Sequence, residues 1–224
     1  MLAGGLFLLT AFGIVAARQA RSSLGLFIAQ SLLLAASALL LGLRYNSSHL
    51  YGVAVVNVVA KVILIPWILR RTLHQEIYTR REIDQVLNIP TSLLIALTLA
   101  IVAYFLTVPL QRAIEAQFRG PNIAIGFAVI LLGTYTLAVR REAVPLLIAL
   151  LAMENGAFFA GISLARTLPL LVELAIATDG LIVVFIAGVL IRAVHKHIGT
   201  TEVGALTRLR ELTPDVQEEG SVRN

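Results

Sequence analysis

Three ionisable side chains, Lys61, Glu154 and Asp179, interrupt stretches of sequence that are otherwise apolar, and each lies near the centre of its stretch. A charge at the centre of a bilayer costs roughly 2.5–3.5 kcal/mol on insertion scales, so such residues face the protein interior or trapped water. Burial disfavours the charged form of either group. A carboxylate held there can take up and release a proton, and a lysine can bias a neighbour's proton affinity. The three residues are therefore candidates for proton translocation.

Two further residues are secondary candidates. Glu173 lies closer to the end of the stretch that contains Asp179, and Gln30 is a polar residue near the middle of an earlier apolar stretch. An alternative for all of these residues stays open at this point. Charges of opposite sign inside a membrane can form a buried ion pair that only fixes helix packing.

The elements that carry these residues are predicted to be transmembrane helices. The chain of 224 residues is 58% hydrophobic and 14% charged, whereas soluble domains have about 25% charged residues. Spanning a bilayer takes roughly 20 mainly apolar residues per helix. We predict an all-α polytopic membrane protein with seven spans, at Leu2–Ala17, Ser22–Gly42, Leu50–Leu69, Thr91–Leu110, Ile123–Val139, Val144–Leu164 and Leu168–Ile191.

The loop charges predict the orientation. Alternate loops are rich in arginine, namely those with Arg18 and Arg21, with Arg70, Arg71, Arg80 and Arg81, and with Arg140 and Arg141. The positive-inside rule places these loops, and the tail after Arg192, in the cytoplasm. The N-terminus is then outside and the C-terminus inside. The first apolar stretch is followed, not preceded, by its basic residues, so we expect a mature helix and not a signal peptide.

A weak parallel repeat organises the chain into two three-helix units. Residues 1–70 form the first unit and residues 123–198 the second, and Gln30 parallels Glu154 as Lys61 parallels Asp179. Residues 71–90 are predicted to be a cytoplasmic surface segment, with a short helix along the membrane. Residues 91–110 form a spacer helix that lets both units run in the same direction, and residues 199–224 form a cytoplasmic tail.

Several motifs carry a family resemblance. The runs RREAVPLLIALLAMENGAFFAGISL and LVELAIATDGLIVVFIAGVLIRAVHKHIGTTEVGALTRLREL contain an M-E-N-G stretch, an I-A-T-D motif and a G-T-x-x-V-x-x-L-x-x-L tail. With these motifs the chain resembles the hydrogenase-4 component E family of group 4 nickel–iron hydrogenase and formate hydrogenlyase-type complexes. Its C-terminal unit is similar to complex I subunit K and to the C-subunit of multisubunit sodium/proton antiporters. By that similarity Glu154 and Asp179 match two intramembrane glutamates of subunit K, although aspartate is one methylene shorter.

The resemblance implies a subunit of the prokaryotic cytoplasmic membrane that couples electron transfer to proton or sodium movement. Its partners would be antiporter-like membrane subunits, a peripheral redox arm and the lipid bilayer, with no nucleic acid. The nickel–iron centre and iron–sulfur clusters are expected in partner subunits, because this chain has no cysteine to ligate a cluster. No nucleotide-binding loop or nucleophile–base set is evident, so the chain is not expected to be a catalyst by itself.

Two other classes remain open, a stand-alone secondary transporter and a purely structural membrane scaffold.

Weaker features complete the prediction. His195 and His197 are too close in sequence to share a helix face as a metal pair. Trp67 is expected to be an interfacial anchor, and Pro66 a kink near Lys61 that frees a carbonyl for water. Small residues beside Glu154, Gly156 with Ala160 and Ala157 with Gly161, predict close packing against a partner or the seventh span.

Overall fold

The computed structural model of the chain describes residues 2–45, 48–72, 88–113 and 121–164, and this part is almost entirely helical. A π-helical segment, Val58–Leu64, joins the third helix to the fourth without a break in the apolar sequence. The helices in chain order are α1 (Leu2–Ala16), α2 (Ala20–Tyr45), α3 (Ser48–Asn57), α4 (Ile65–Thr72), α5 (Ile89–Ala113), α6 (Pro121–Val139) and α7 (Ala143–Leu164).

Five helices are long and apolar enough to cross a membrane, namely Ala20–Arg44, Leu50–Arg71, Ile89–Arg112, Asn122–Val139 and Ala143–Ile162, and α1 is a shorter apolar helix. They coincide with the first six predicted spans to within a few residues, because a long apolar run is the strongest signal that a sequence carries. The predicted seventh span, most of the predicted surface segment and the tail lie outside the described residues.

The closest helix–helix contact is between α6 and α7. A Cβ added at Gly126 would lie 2.6 Å from the carbonyl oxygen of Gly156 and 2.6 Å from the Cβ of Ala160. Small residues let two backbones approach in this way inside a membrane. Close packing by Gly156 and Ala160 was therefore predicted correctly, but the expected partner was wrong. The helix that they contact is the preceding one, α6, because the tight turn between the two helices makes them antiparallel neighbours.

The α1–α2 hairpin packs on the α6–α7 hairpin, so that α1 contacts α6 and α2 contacts α7. At the centre of this interface the rings of Phe7 and Phe159 stack with their centroids 4.3 Å apart. Side chains from both hairpins fill the main apolar core around them. Helix α5 lies at the periphery against α6 and α1, and its outer face carries exposed apolar residues, among them Leu94, Leu97, Tyr104, Phe105 and Leu106.

A second apolar cluster is formed by residues near one end of each of three helices. It contains Ala20 and Leu24 of α2, Leu69 of α4, and Val144 of α7. The start of α2, the end of α4 and the start of α7 therefore lie on the same side of the bundle. The arginines at these positions, Arg18, Arg21, Arg70, Arg71, Arg140 and Arg141, share that side, as the alternation of basic loops predicts.

Candidate functional site

Lys61 and Glu154 form an ion pair between two spans. The Nζ atom of Lys61 lies 2.7 Å from Oε1 of Glu154, and the exposed fractions of the two side chains are 3% and 24%. Both residues lie about ten positions from the basic-side end of their helices, or about 15 Å along the axis at 1.5 Å per residue. The pair is therefore near the middle of the apolar spans, where a lone charge is most costly.

Asn155 holds the lysine from a second side. Its Oδ1 accepts a hydrogen bond of 2.9 Å from Lys61 Nζ. Its Nδ2 donates to Oγ of Ser31 at 3.0 Å and, more weakly, to Oε1 of Gln30 at 3.3 Å. Because the amide nitrogen already has these two acceptors on α2, the amide oxygen is left to face the ammonium group. Hydrogen bonds to α2 thus fix the orientation of the Asn155 amide, and this orientation directs its oxygen toward Lys61.

The backbone around Lys61 is also unusual. The N–H of Ile65 donates to the carbonyl of Ala60, five residues back, and residue 66 is a proline with no N–H. The two donors that an α-helix or a π-helix would offer to the carbonyl of Lys61 are therefore used elsewhere or missing. The freed carbonyl that the sequence predicted near Pro66 is that of Lys61 itself. π-Helical segments of this kind occur often at functional sites.

Most residues of the polar cluster are buried among the packed helices. Gln30, Ser31 and Asn155 are fully buried, and Asn57 nearly so. Asn57 Nδ2 donates to the carbonyl of Ser31 at 2.9 Å, which ties the third span to α2. The ring centroid of Phe158 lies 5.6 Å from Lys61 Nζ, within the range of a cation–π contact. Three residues of α7, Glu154, Asn155 and Phe158, thus contact the ammonium group, and three more, from α2 and the third span, are connected to it through Asn155 and Ser31.

Two atoms of the cluster keep unused hydrogen-bonding capacity. Gln30 Nε2 is buried and has no hydrogen-bond acceptor in the described part of the chain. Glu154 Oε1 is buried too, and apart from its ion pair with Lys61 it has no partner among the described residues. A buried polar group without a partner is a common place for an ordered water. Such a water would connect the carboxylate to other polar groups.

The structure brings together three of the predicted site residues, Lys61, Glu154 and Gln30. Asp179 and Glu173 lie outside the described residues, as do His195 and His197. Three members of the cluster were missed, namely Asn155, Ser31 and Asn57. A signal was present, since Asn57 and Lys61 are four residues apart and share a helix face, and Asn155 directly follows Glu154 in the M-E-N-G stretch.

The arrangement can hold one proton in two places. With Glu154 ionised and Lys61 protonated, the pair is neutral overall, and transfer of one proton between them leaves it neutral. Neither state leaves an uncompensated charge in the apolar interior, which is the condition that makes such groups tolerable there. Asn155 can accept a hydrogen bond from the lysine nitrogen in both states, because a neutral amine retains N–H donors.

Arg140, in the turn before α7, fastens the two hairpins together. Its Nη2 donates to the carbonyls of Ala17 at 2.7 Å, Val15 at 2.8 Å and Ile14 at 3.2 Å. These are carbonyls at the C-terminus of α1, where helical donors run out and where a cation is favoured; the carbonyl of Ile14 also accepts a backbone hydrogen bond, from the N–H of Ala17 at 3.4 Å. Burial lowers the pKa of Arg140 to about 10, against the opposing effect of Glu142. The group is therefore still charged at neutral pH.

At the end of α4, the guanidinium carbon of Arg71 lies 5.3 Å from the ring centroid of Trp67. Trp67 is more than half exposed, which agrees with an interfacial anchor.

Fold and site together define the class of the protein. It is a polytopic α-helical membrane protein with oppositely charged side chains paired near the middle of its spans.

Comparison with known proteins finds relatives that match nearly the whole chain. The sequence is 31% identical over 209 residues to the uncharacterised protein Rv0085 of Mycobacterium tuberculosis, a match that covers 93% of this chain and 94% of the relative. It is 27% identical over 214 residues to hydrogenase-4 component E of Escherichia coli, covering 92% and 94% respectively. The Shigella flexneri component E matches to the same extent. The chain is thus similar over nearly its whole length to proteins named hydrogenase-4 component E.

No protein-family model matches the sequence, and no solved structure matches it. The similarity of the C-terminal unit to subunit K of complex I stays a prediction from the sequence motifs.

Proposed function

We propose that this chain is a membrane subunit of a group 4 hydrogenase-like redox complex, in which it contributes to redox-coupled ion translocation. The name of the Escherichia coli relative describes a component of a hydrogenase, which supports membership of such a complex. Glu154 is the residue that takes up and releases the ion, Lys61 is its charged partner, and Asp179 is a second station. Glu173 and Gln30 are secondary members of the path.

The observation that carries this proposal is the Lys61–Glu154 pair. Helix packing alone could be achieved by apolar residues, which are often as stabilising as a buried ion pair or more so. Here a charge from each of two spans forms an ion pair, the amide of Asn155 contacts the ammonium and is held by α2, and the backbone carbonyl of Lys61 lacks its helical donor. Intramembrane ionisable residues that are enclosed in this way mark ion pathways and proton relays.

The redox chemistry would reside in partner subunits. Within the described part of the chain, no group of three or more histidine, aspartate or glutamate side chains could hold a metal. The proposed partners are antiporter-like membrane subunits and a peripheral arm that carries the nickel–iron centre and iron–sulfur clusters. The proposed role of the chain is to link them laterally through the cytoplasmic membrane.

For the whole chain we propose seven spans in two parallel three-helix units, with the N-terminus outside. The grouping of the arginine-bearing ends on one side of the bundle supports this orientation. Reporter fusions after Gln75 and Gly199 should then be cytoplasmic, and a fusion after Asn46 should be outside. A cytoplasmic signal from the fusion after Asn46 would contradict the proposed topology.

The test of the function is Glu154→Gln in the intact complex. The substitution keeps the shape of the side chain but removes the titrating proton. We expect the complex to assemble and to retain its redox activity, while redox-driven acidification of sealed membrane vesicles falls sharply. Asp179→Asn should act in the same direction, and the double variant should lose less than the sum of the two because both residues serve one path.

Glu142→Gln is the matched control, since it makes the same chemical change in the turn before α7. It should leave acidification unchanged. Normal acidification with Glu154→Gln would exclude the relay and favour a structural role for the pair. A chain that purifies alone and transports ions without partners would instead identify a stand-alone transporter.

A further inference from the structure

We infer that the ion handled at Glu154 is the proton, and that Lys61 excludes sodium from this carboxylate by occupying the position of a bound cation. The inference rests on the proposed role of Glu154 in translocation and specifies its substrate. It is carried by the positions of the oxygen atoms around Lys61 Nζ.

A sodium ion inside a membrane protein needs several oxygen ligands that converge on one point, usually carboxylates, amide oxygens and carbonyls released from helices. The cluster has oxygens of these types. Oε1 of Glu154 and Oδ1 of Asn155 lie 2.7 Å and 2.9 Å from the same ammonium nitrogen. They converge as ligands would, but the atom at the point of convergence is Lys61 Nζ.

Two further side-chain oxygens of the cluster are also engaged. Ser31 Oγ and Gln30 Oε1 both accept hydrogen bonds from Nδ2 of Asn155. To release them, the amide of Asn155 would have to rotate, and its nitrogen would then face the ammonium group. The carbonyl of Lys61 lacks its helical donors, but a single carbonyl suits a bridging water better than an ion that needs a shell of oxygens.

Charge leads to the same conclusion. The carboxylate of Glu154 is already balanced by the ammonium group of Lys61, a side chain that is only 3% exposed. A sodium ion at the carboxylate would place two cations beside one anion in an apolar interior, where like charges repel strongly. A proton added to Glu154 needs no coordination shell. The added positive charge then stays on the Lys61 ammonium, which keeps its contacts with Asn155 and the ring of Phe158, and no second cation enters the cluster.

The experiment determines which ion's uptake, that of the proton or that of sodium, decreases when Glu154 is neutralised. Intact complexes with wild-type chain, Glu154→Gln or Glu142→Gln are assayed in sealed vesicles, and redox-driven proton uptake and radioactive sodium uptake are both measured, with and without a protonophore. The expected result is a large loss of proton uptake in Glu154→Gln, with any sodium uptake by other subunits unchanged.

A loss of protonophore-resistant sodium uptake in Glu154→Gln, with proton uptake unchanged, would overturn the inference and leave the translocation role intact. If Glu154→Gln loses neither proton uptake nor sodium uptake, the proposed function fails and the inference fails with it.

A second measurement follows the rate at which a hydrophobic carbodiimide modifies Glu154, by mass spectrometry of the peptide. Replacing choline by sodium at constant pH should leave this rate unchanged, whereas protection by sodium would overturn the inference.

Discussion

The ammonium group of Lys61 reaches from the third span to the carboxylate of Glu154 on α7, where 2.7 Å separates the two charged atoms. The same nitrogen is held by Asn155, the next residue of α7. One side chain thus links the two helix units that the sequence divides at the spacer helix. The pair is neutral as a whole, so the chain can keep both charges in its interior, but neither is stable there without the other.

The first prediction concerns this mutual dependence. Lys61→Met removes the ammonium and leaves Glu154 without its counter-charge, so we expect the free energy of unfolding to fall by about 3–5 kcal/mol. The double variant Lys61→Met/Glu154→Met removes both charges and should recover much of that loss. The measurement is the fraction of the chain that stays soluble when detergent-solubilised membranes are heated, followed by immunoblot.

Val59→Met is the control on the same span, because the Val59 side chain is 51% exposed at the surface of the helix bundle. It should change the midpoint temperature little. The single variant Glu154→Met completes the comparison. If the double variant loses as much stability as Lys61→Met and Glu154→Met together, the two residues are energetically independent, and the ion pair has no role in stability.

The positions of the charged residues could be predicted from the sequence, but the contact between them could not. Lys61 and Glu154 are evident because each interrupts an apolar run and a midplane charge is costly. Their pairing depends on how helices distant in sequence pack. Helix α7 is apolar on nearly all sides, so periodicity does not indicate which face meets which neighbour. The predicted repeat related Gln30 to Glu154 by position only and did not indicate that Gln30 contacts Asn155.

The contributions of uncharged groups were the hardest to predict. Asn155 and Ser31 carry no charge, and single amides and hydroxyls occur in many membrane helices, so their types alone do not mark a site. The opposite case is Pro66, whose missing N–H is a property of the residue itself. Its effect on the Lys61 backbone could therefore be predicted, although the π-helical form of Val58–Leu64 could not.

The second prediction concerns Arg140. Arg140→Ala removes the donor that three carbonyls at the end of α1 share. Hydrogen bonds that involve a charged group contribute about 1.5–3 kcal/mol each, and we expect a total loss of about 2–4 kcal/mol because one nitrogen serves all three. Arg141→Ala is the matched control, since Arg141 is exposed. The heating assay should show a clear shift for Arg140→Ala only, and equal shifts would refute the role of Arg140 as a fastener.

The last prediction concerns Gly126, which sets the distance between α6 and α7. A Cβ at this position would lie 2.6 Å from the Gly156 carbonyl oxygen and 2.7 Å from the Ala160 nitrogen, and both are backbone atoms that cannot turn aside. Gly126→Ala must therefore push α7 away from α6. Overpacking of this kind costs typically about 1–3 kcal/mol. Because α7 carries both Glu154 and Asn155, the displacement should also weaken their contacts with Lys61.

Gly25→Ala separates this steric effect from the general effect of replacing glycine in a helix. Gly25 lies in α2 with no described atom within 4 Å of an added Cβ, and alanine favours the helix over glycine by roughly 0.5–1 kcal/mol. Gly25→Ala should therefore raise the midpoint temperature slightly or leave it unchanged, while Gly126→Ala lowers it. Redox-driven acidification should fall with Gly126→Ala, even though the substitution touches no ionisable group. If Gly126→Ala is as stable and as active as Gly25→Ala, the close crossing of α6 and α7 does not position the site.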